Sequence, residues 1–78
     1  MMARNQNVTI CENTRLEGWV TGWATGRNGW RFEFSVSPGN VDIDMREHTE
    51  ADAKADARQI RRELKKCYSS VFNVSGER

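Results

Sequence analysis

The chain has 78 residues, of which 37% are hydrophobic and 29% charged, and 12 basic against 11 acidic residues give it a formal net charge of +1. This length predicts one domain with one small core, and this composition excludes a disordered chain. The charge does not point to a dedicated nucleic-acid domain, although it leaves room for a local basic patch. No apolar run approaches the ~18 residues that span a bilayer, so we expect no membrane contact.

The N-terminus and the cysteines bear on the cellular compartment. The first ten residues, MMARNQNVTI, contain no apolar segment, so we expect no secretory signal peptide and a cytosolic protein. Cys11 and Cys67 lie far apart in the chain. Without a secretion signal, two such cysteines are expected to be buried or idle thiols rather than a disulfide. No motif indicates a cofactor, and we expect none.

The first part of the chain predicts an antiparallel sheet over residues 8–45. Residues 16–25 form a predicted strand that joins the next one through GRNG, and Asn-Gly between extended runs is a strong hairpin signal. Residues 8–12 either begin this strand or form a short separate one, with a bulge or bend at residues 12–15. Residues 1–7 are expected to be flexible.

Two amphipathic strands follow the GRNG turn. Apolar and polar residues alternate over residues 30–36 and again over residues 41–45, which is typical of half-buried strands. The sequence SPGN between them predicts a turn in which Gly39 supplies a positive φ. These two strands therefore form a predicted hairpin.

From Thr49 the apolar spacing changes to three and four, which predicts a helix over residues 49–70 with Thr49 as its N-cap. The stripe predicted to face the sheet comprises Ala53, Ala57, Ile60, Leu64, Cys67 and Val71. Residues 73–78 are expected to fray. The predicted fold is α+β: a three-stranded antiparallel β-meander followed by one C-terminal helix packed on one face, β-β-β-α.

The GRNG turn decides which residues face the helix, because a shift of one residue in strand pairing exchanges the two faces. In a two-residue turn at Asn28 and Gly29, both Trp19 and Trp23 belong to the core face. In a three-residue turn over residues 27–29, the residues that face the helix are instead Leu16, Val20 and Ala24, with Gly18 and Gly22 among them.

We favour the three-residue turn on grounds of volume. Three tryptophans and two phenylalanines beneath one alanine-rich helix are hard to pack without strain. In the favoured register, a neighbouring aromatic ring covers the bare backbone of each core-facing glycine.

Trp19 and Trp23 then lie on the uncovered face of the sheet. Two adjacent indoles bury ~400 Å² when covered, as much as the largest apolar patch on a typical monomer, and tryptophan is enriched at binding hot spots. The predicted partner-binding residues are Trp19, Trp23, Arg27, Arg31 and Glu33, which share this face with Asp42 and Asp44. The alternative, in which the N-terminal segment folds over the two indoles, stays open.

We expect no catalytic or metal-binding role for the other polar residues. His48, the only histidine, is expected to be a solvated loop residue rather than a general base. Asp42 and Asp44 are expected to form a solvated polar face rather than a metal site. An alternative basic surface comprises Arg58, Arg61, Arg62, Lys65 and Lys66. We expect these cations to be solvated and paired with Asp56 and Glu63.

These features predict a small binding module that is not an enzyme and that holds a protein partner through the open sheet face. A near-neutral domain of this kind suits an adaptor or an inhibitor that acts by occlusion, and phage- or mobile-element-encoded antagonists of host machinery are often built this way. One alternative is a single-stranded nucleic-acid or RNA binder that combines the aromatics with Arg27 and Arg31. Another is a homodimer sealed through two open sheet faces.

Overall fold

The computed structural model describes residues 8–46 and 48–73. One antiparallel sheet contains four strands in chain order, followed by two helices: β1 (Thr9–Leu16), β2 (Trp19–Thr25), β3 (Arg31–Ser37), β4 (Asn40–Ile43), α1 (Ala51–Cys67) and α2 (Ser69–Phe72). The predicted α+β meander with a C-terminal helix is confirmed, with four strands rather than three. Neither described helix is long and apolar enough to cross a membrane. The predictions for residues 1–7 and 74–78 fall outside the described residues.

The β2–β3 turn has the three-residue form that we favoured. The Gly26 N–H donates to the Trp30 carbonyl oxygen at 2.9 Å, and Gly29 has a φ of +91°. Consequently Ala24 pairs with Phe32, and the helix-facing residues of β2 are Val20, Gly22 and Ala24. The second predicted turn is also confirmed, since Gly39 has a φ of +72°.

The core lies between one face of the sheet and the helices. Phe32, Phe34 and Val36 of β3 form its centre and are at most 2% exposed. Burying a large apolar side chain contributes about 1.5–3 kcal/mol, so this layer is the main source of stability. The other buried apolar residues are Val20, Ala24, Val41, Ile43, Ala53, Ala57, Ile60, Leu64, Tyr68 and Val71.

The strand β1 is separate from β2 and ends in a tight turn, which is one of the two alternatives left open for residues 8–12. The strand predicted over residues 16–25 is present but begins at Trp19, so its predicted start at Leu16 was wrong. Glu17 and Gly18 form the turn, and Gly18 has a φ of +76° that favours glycine. Gly18 therefore lies in the turn and not on the core face. Leu16 pairs with Trp19 as the last residue of β1.

A β-bulge in β1 places each later residue of that strand on the opposite face of the sheet from the one that simple alternation predicts. The pairing with β2 shifts between Glu12 and Thr14, so Asn13 is the extra residue. As a result Leu16 lies on the open face and is 56% exposed. The prediction that Leu16 faces the helix was therefore wrong.

The bulge also explains Gly22. A Cβ at this position would overlap the carbonyl oxygen of Cys11 and lie 3.0 Å from the Glu12 Cα. The backbone of β1, rather than an aromatic ring, therefore covers this glycine.

On the helix side of β1, Glu12 and Arg15 connect the strand to the end of α1. The Arg15 guanidinium bonds the Glu12 carboxylate at 3.2 Å, and the Tyr68 hydroxyl donates to the same carboxylate at 3.1 Å. The hydrogen bond from Arg15 lowers the pKa of Glu12. Burial, and then the bond to Glu12, raises the pKa of Tyr68.

The helix differs from its prediction at both ends. Its N-cap is Glu50 rather than Thr49, and no side chain caps it. At the other end, Cys67 is exposed and Tyr68 occupies its predicted place in the core. Tyr68 has a non-helical backbone (φ −117°, ψ 37°), so the chain leaves α1 there and the apolar stripe shifts by one residue before Val71.

Asp56 is fully buried under the β2–β3 turn instead of pairing with the basic helix face. Its carboxylate accepts the Asn28 N–H at 3.1 Å to each oxygen, the Asn28 side-chain amide at 3.0 Å and the Trp30 N–H at 3.2 Å. Gly26 makes room for it, since a Cβ there would overlap the Asp56 side chain. The carboxylate thus attaches the β2–β3 turn to α1, and this turn sets the register of the strands.

Candidate functional site: the open face of the sheet

Three large apolar side chains stand exposed on the face of the sheet that the helices leave open. Leu16 is 56% exposed, Trp19 41% and Trp23 38%, and they are the exposed large hydrophobic residues of the described part of the chain. All three come from the β1–β2 hairpin, in which Leu16 and Trp19 are direct partners. The hairpin therefore forms the apolar half of the open face.

The strands β3 and β4 form the polar half. Glu33 lies directly opposite Trp23, and Arg31 lies two pairs further along the strand, on the same face. The guanidinium carbon of Arg31 is 4.5 Å from the centre of the Trp23 ring, which is a cation–π contact. Arg31 and Trp23 thus stabilise each other at one end of the face.

Asp44 and Arg46 form a clamp at the edge of the face, just beyond β4. The Arg46 guanidinium donates to both carboxylate oxygens of Asp44, at 3.0 and 2.7 Å, and its backbone N–H donates at 3.1 Å. These hydrogen bonds from the Arg46 side chain and backbone lower the pKa of Asp44 from its ordinary 3.8 to about 2. The Asp44 N–H donates to the Glu33 carbonyl oxygen at 3.0 Å, which holds the clamp against β3.

A groove of about 640 Å³ runs between the two halves. Thr21 and Ser35 are direct partners with small side chains, so the middle row of the face is low. Trp19 lies on one side of the groove, and the carboxylates of Glu33, Asp42 and Asp44 lie on the other. The lining residues are Trp19, Thr21, Glu33, Phe34, Ser35, Asp42, Ile43, Asp44, Met45 and Arg46.

A smaller groove of about 290 Å³ extends the first one past Trp23 toward His48. The two grooves share Glu33, Asp44 and Arg46 as lining residues. A single extended segment of polypeptide can therefore contact both indoles.

The acidic and basic side chains of the open face do not all pair with one another. Arg31 lies over Trp23, and Arg46 is bound to Asp44. Within the described residues, Glu33 and Asp42 form no ion pair. The carboxylates of Glu33 and Asp42 are therefore available to a group that binds in the groove.

The structure brings together four of the five residues predicted to bind a partner, Trp19, Trp23, Arg31 and Glu33. Arg27 is exposed in the β2–β3 turn and lines neither groove. Leu16 and Arg46 also belong to this surface, although neither was predicted to. The Glu-Gly turn after Leu16 was the available signal for the first, and the Asp44-x-Arg46 spacing for the second.

The other candidates occupy different places. His48 is half-buried rather than solvated, because its ring packs edge-on against Trp30 at 5.3 Å and Phe32 at 5.0 Å. In the described part of the chain, no three histidine, cysteine or carboxylate side chains come together as a metal site would require. Cys11 and Cys67 are both free and exposed, and Cys11 lies opposite Trp23.

The alternative basic surface lies on the outer side of α1, away from the open face. Its five residues, Arg58, Arg61, Arg62, Lys65 and Lys66, are all exposed. Three of them have intramolecular contacts. Arg61 donates to the Val41 carbonyl oxygen at 2.6 Å, Lys66 lies 3.8 Å from Glu63, and Lys65 lies 5.3 Å from the Phe72 ring centre.

Comparison of the chain with protein-family models, with curated proteins and with solved structures found no match. The chemistry and geometry of the open face are therefore the basis on which a function can be inferred.

Proposed function

We propose that this protein is a non-catalytic binding module that holds a protein partner on the open face of its sheet. The observation that carries the proposal is the set of exposed side chains Leu16, Trp19 and Trp23 beside two adjoining grooves. The core on the other face contains none of them, so its packing does not explain three large apolar side chains that are 38–56% exposed. Contiguous exposed apolar surface of this kind marks contact sites, and tryptophan is enriched among hot spots.

The magnitudes indicate that the indoles need polar neighbours for useful affinity. Trp19 is 41% and Trp23 38% exposed. Covering what is left of the two indoles removes about 200 Å² from water, which at ~25 cal/mol per Å² corresponds to about 5 kcal/mol of gross stabilisation. Association costs about 4–15 kcal/mol in lost translational and rotational freedom, which is a comparable amount. Contacts in the groove would therefore supply the net affinity and the specificity.

The charges favour a protein over the other two partners considered. Glu33 and Asp42 form no ion pair with any residue that the structure describes, and they would repel a phosphate backbone. In a symmetric homodimer centred on the groove, the same carboxylates of two copies would meet. We assign no reaction to the module itself, and its mode of action in this proposal is occlusion of the partner surface that it covers.

The test is the selection of binding peptides from a random library displayed on phage, with the wild-type protein as bait. Dissociation constants of the selected peptides are then measured against wild type and against a Trp19→Ser/Trp23→Ser variant. We expect the double substitution to weaken binding by at least about tenfold, because hot-spot residues carry most of the binding energy. The matched control is Arg58→Gln/Arg62→Gln, which alters the basic surface and should leave binding unchanged.

Circular dichroism and urea unfolding of each variant show whether a loss of binding reflects loss of the fold. The proposal is contradicted when the tryptophan variant is folded and binds the selected peptides as tightly as wild type does. It is also contradicted when only the helix variant loses binding, since the contact surface is then the basic face.

A further inference from the structure

We infer that the groove between Trp19 and the carboxylates of Glu33 and Asp42 holds a lysine or arginine side chain of the partner. This inference rests on the proposed function and specifies the chemistry of the segment that the open face binds. It follows from the charge balance, the position of the Trp19 ring and the shape of the groove.

The open face and its edge carry fewer basic than acidic side chains. The face and its edge carry two arginines, and both are engaged: Arg31 lies 4.5 Å from the Trp23 ring centre, and Arg46 binds Asp44 at 2.7 Å. Glu33 and Asp42 form no ion pair in the described part of the chain. A positively charged group between them would restore the balance locally.

The Trp19 ring adds a second attraction for the same group. In the described residues Trp23 has a cation over its ring, whereas no basic side chain lies over Trp19. Trp19, Glu33 and Asp42 all line one groove. An indole face and carboxylates attract the same charged group, the first through its quadrupole and the second through their charge.

The shape of the groove suits a long basic side chain. Thr21 and Ser35 leave the floor low, and the indole of Trp19 provides an apolar wall. Lysine and arginine place their methylene stems against apolar surface while the charged head reaches polar groups. The volume of about 640 Å³ exceeds that of one side chain, so the flanking residues of an extended segment also fit.

A second copy of the chain is a poorer source of this cation. The arginines Arg15, Arg31 and Arg46 of such a copy are engaged in contacts of its own sheet. Of the five basic residues on the outer side of α1, three already have intramolecular partners, namely Arg61, Lys65 and Lys66. A contact between the helix of one copy and the open face of another is also head-to-tail, and such contacts generate rings or open chains rather than a closed dimer. A different protein is therefore the occupant that we infer.

The experiment compares the selected peptides against wild type and a Glu33→Gln/Asp42→Asn variant. Its control is Glu50→Gln/Asp52→Asn, which removes the same charge from exposed positions at the start of α1. Each peptide is also synthesised with norleucine in place of its basic residue, because norleucine retains an apolar stem without the charge. Dissociation constants of the four combinations form a double-mutant cycle.

We expect the selected peptides to share a lysine or arginine at one position. Loss of Glu33 and Asp42 should weaken binding by about tenfold, and norleucine should do the same in wild type but cause little further loss in the variant. The control pair should bind like wild type.

Selected peptides without a shared basic residue, or with unchanged affinity for the Glu33→Gln/Asp42→Asn variant, overturn the inference. The proposed function survives that result when the same peptides lose binding to the Trp19→Ser/Trp23→Ser variant. When the tryptophan substitutions have no effect either, or when the selection yields no binding peptide, both are wrong.

Discussion

Asp56 shows how one buried charge is kept in a small core. A carboxylate removed from water costs several kcal/mol unless hydrogen bonds replace its hydration. The β2–β3 turn supplies three donors to it, the two N–H groups of Asn28 and Trp30 and the Asn28 side-chain amide. The residue therefore connects helix α1 to the turn that decides which face each tryptophan occupies.

Replacement of Asp56 by alanine should destabilise the protein strongly. The N–H groups of Asn28 and Trp30 lose their acceptor, and we expect a loss of about 3 kcal/mol in the free energy of unfolding. Urea denaturation measures it, with Lys54→Ala on the exposed side of α1 as a control expected within about 0.5 kcal/mol of wild type. Equal midpoints for Asp56→Ala and the control would show that the carboxylate is dispensable.

The carboxyl group of Asp44 should titrate well below its ordinary range. Its folded-state pKa of about 2 lies below the ordinary 3.8, so the ion pair with Arg46 stabilises the fold above pH 3.8. That contribution is lost as the pH falls through about 2. Carboxyl ¹³C NMR should report this low pKa in wild type and a higher one in Arg46→Gln. An unchanged pKa in the variant would contradict the clamp.

At the scale of elements, sequence patterns predicted the structural features that depend on residues close together in the chain. The alternation over β3 and β4 and the glycine of the three-residue turn indicated the hairpins and the register. The bulge or bend predicted at residues 12–15 is confirmed as a bulge at Asn13, whose exact position the pairing of β1 with β2 decides. The helical stripe was ambiguous at its end, since residues 67 and 68 both keep a spacing of three or four from Leu64 and Val71. The larger apolar area of Tyr68 decides that choice.

The bulge makes a sharp prediction at Gly22. An added Cβ in Gly22→Ala would overlap the β1 backbone at Cys11 and lie 3.1 Å from the Asn13 nitrogen. Because backbone on both sides must move, we expect a loss of about 2 kcal/mol or more in the free energy of unfolding. Urea denaturation tests this against Ser35→Ala, expected within about 0.5 kcal/mol of wild type. A Gly22→Ala variant as stable as Ser35→Ala would show that the two strands are not so closely paired there.

At the scale of the whole molecule, the two sides of the domain differ in character. The outer side of α1 is basic and partly self-paired, whereas the open face joins apolar side chains to carboxylates that form no ion pair among the described residues. Most of the candidate site was predictable once the register was chosen, because alternation along β2 and β3 assigns Trp19, Trp23, Arg31 and Glu33 to one side. Leu16 was missed because one strand was predicted over residues 16–25, whereas the Glu17–Gly18 turn pairs Leu16 with Trp19 on the same face.

The two exposed cysteines provide a footprint of any partner. Cys11 lies opposite Trp23 on the open face, and Cys67 lies at the end of α1. A selected peptide bound at saturation should slow the reaction of iodoacetamide with Cys11 at least about tenfold, since bound and covered thiols react only through the free form. Cys67 should react at its original rate. Protection of Cys67 alone would place the contact on the helix.

The most direct test of the open-face binding surface uses the indole N–H resonances of the three tryptophans in a ¹H–¹⁵N NMR titration with a selected peptide. Trp19 and Trp23 are exposed on the open face, whereas Trp30 packs against the core. We predict that the Trp19 and Trp23 signals shift with a common dissociation constant while the Trp30 signal stays in place. Stationary Trp19 and Trp23 signals, with shifts confined to the amides of α1, would contradict the account.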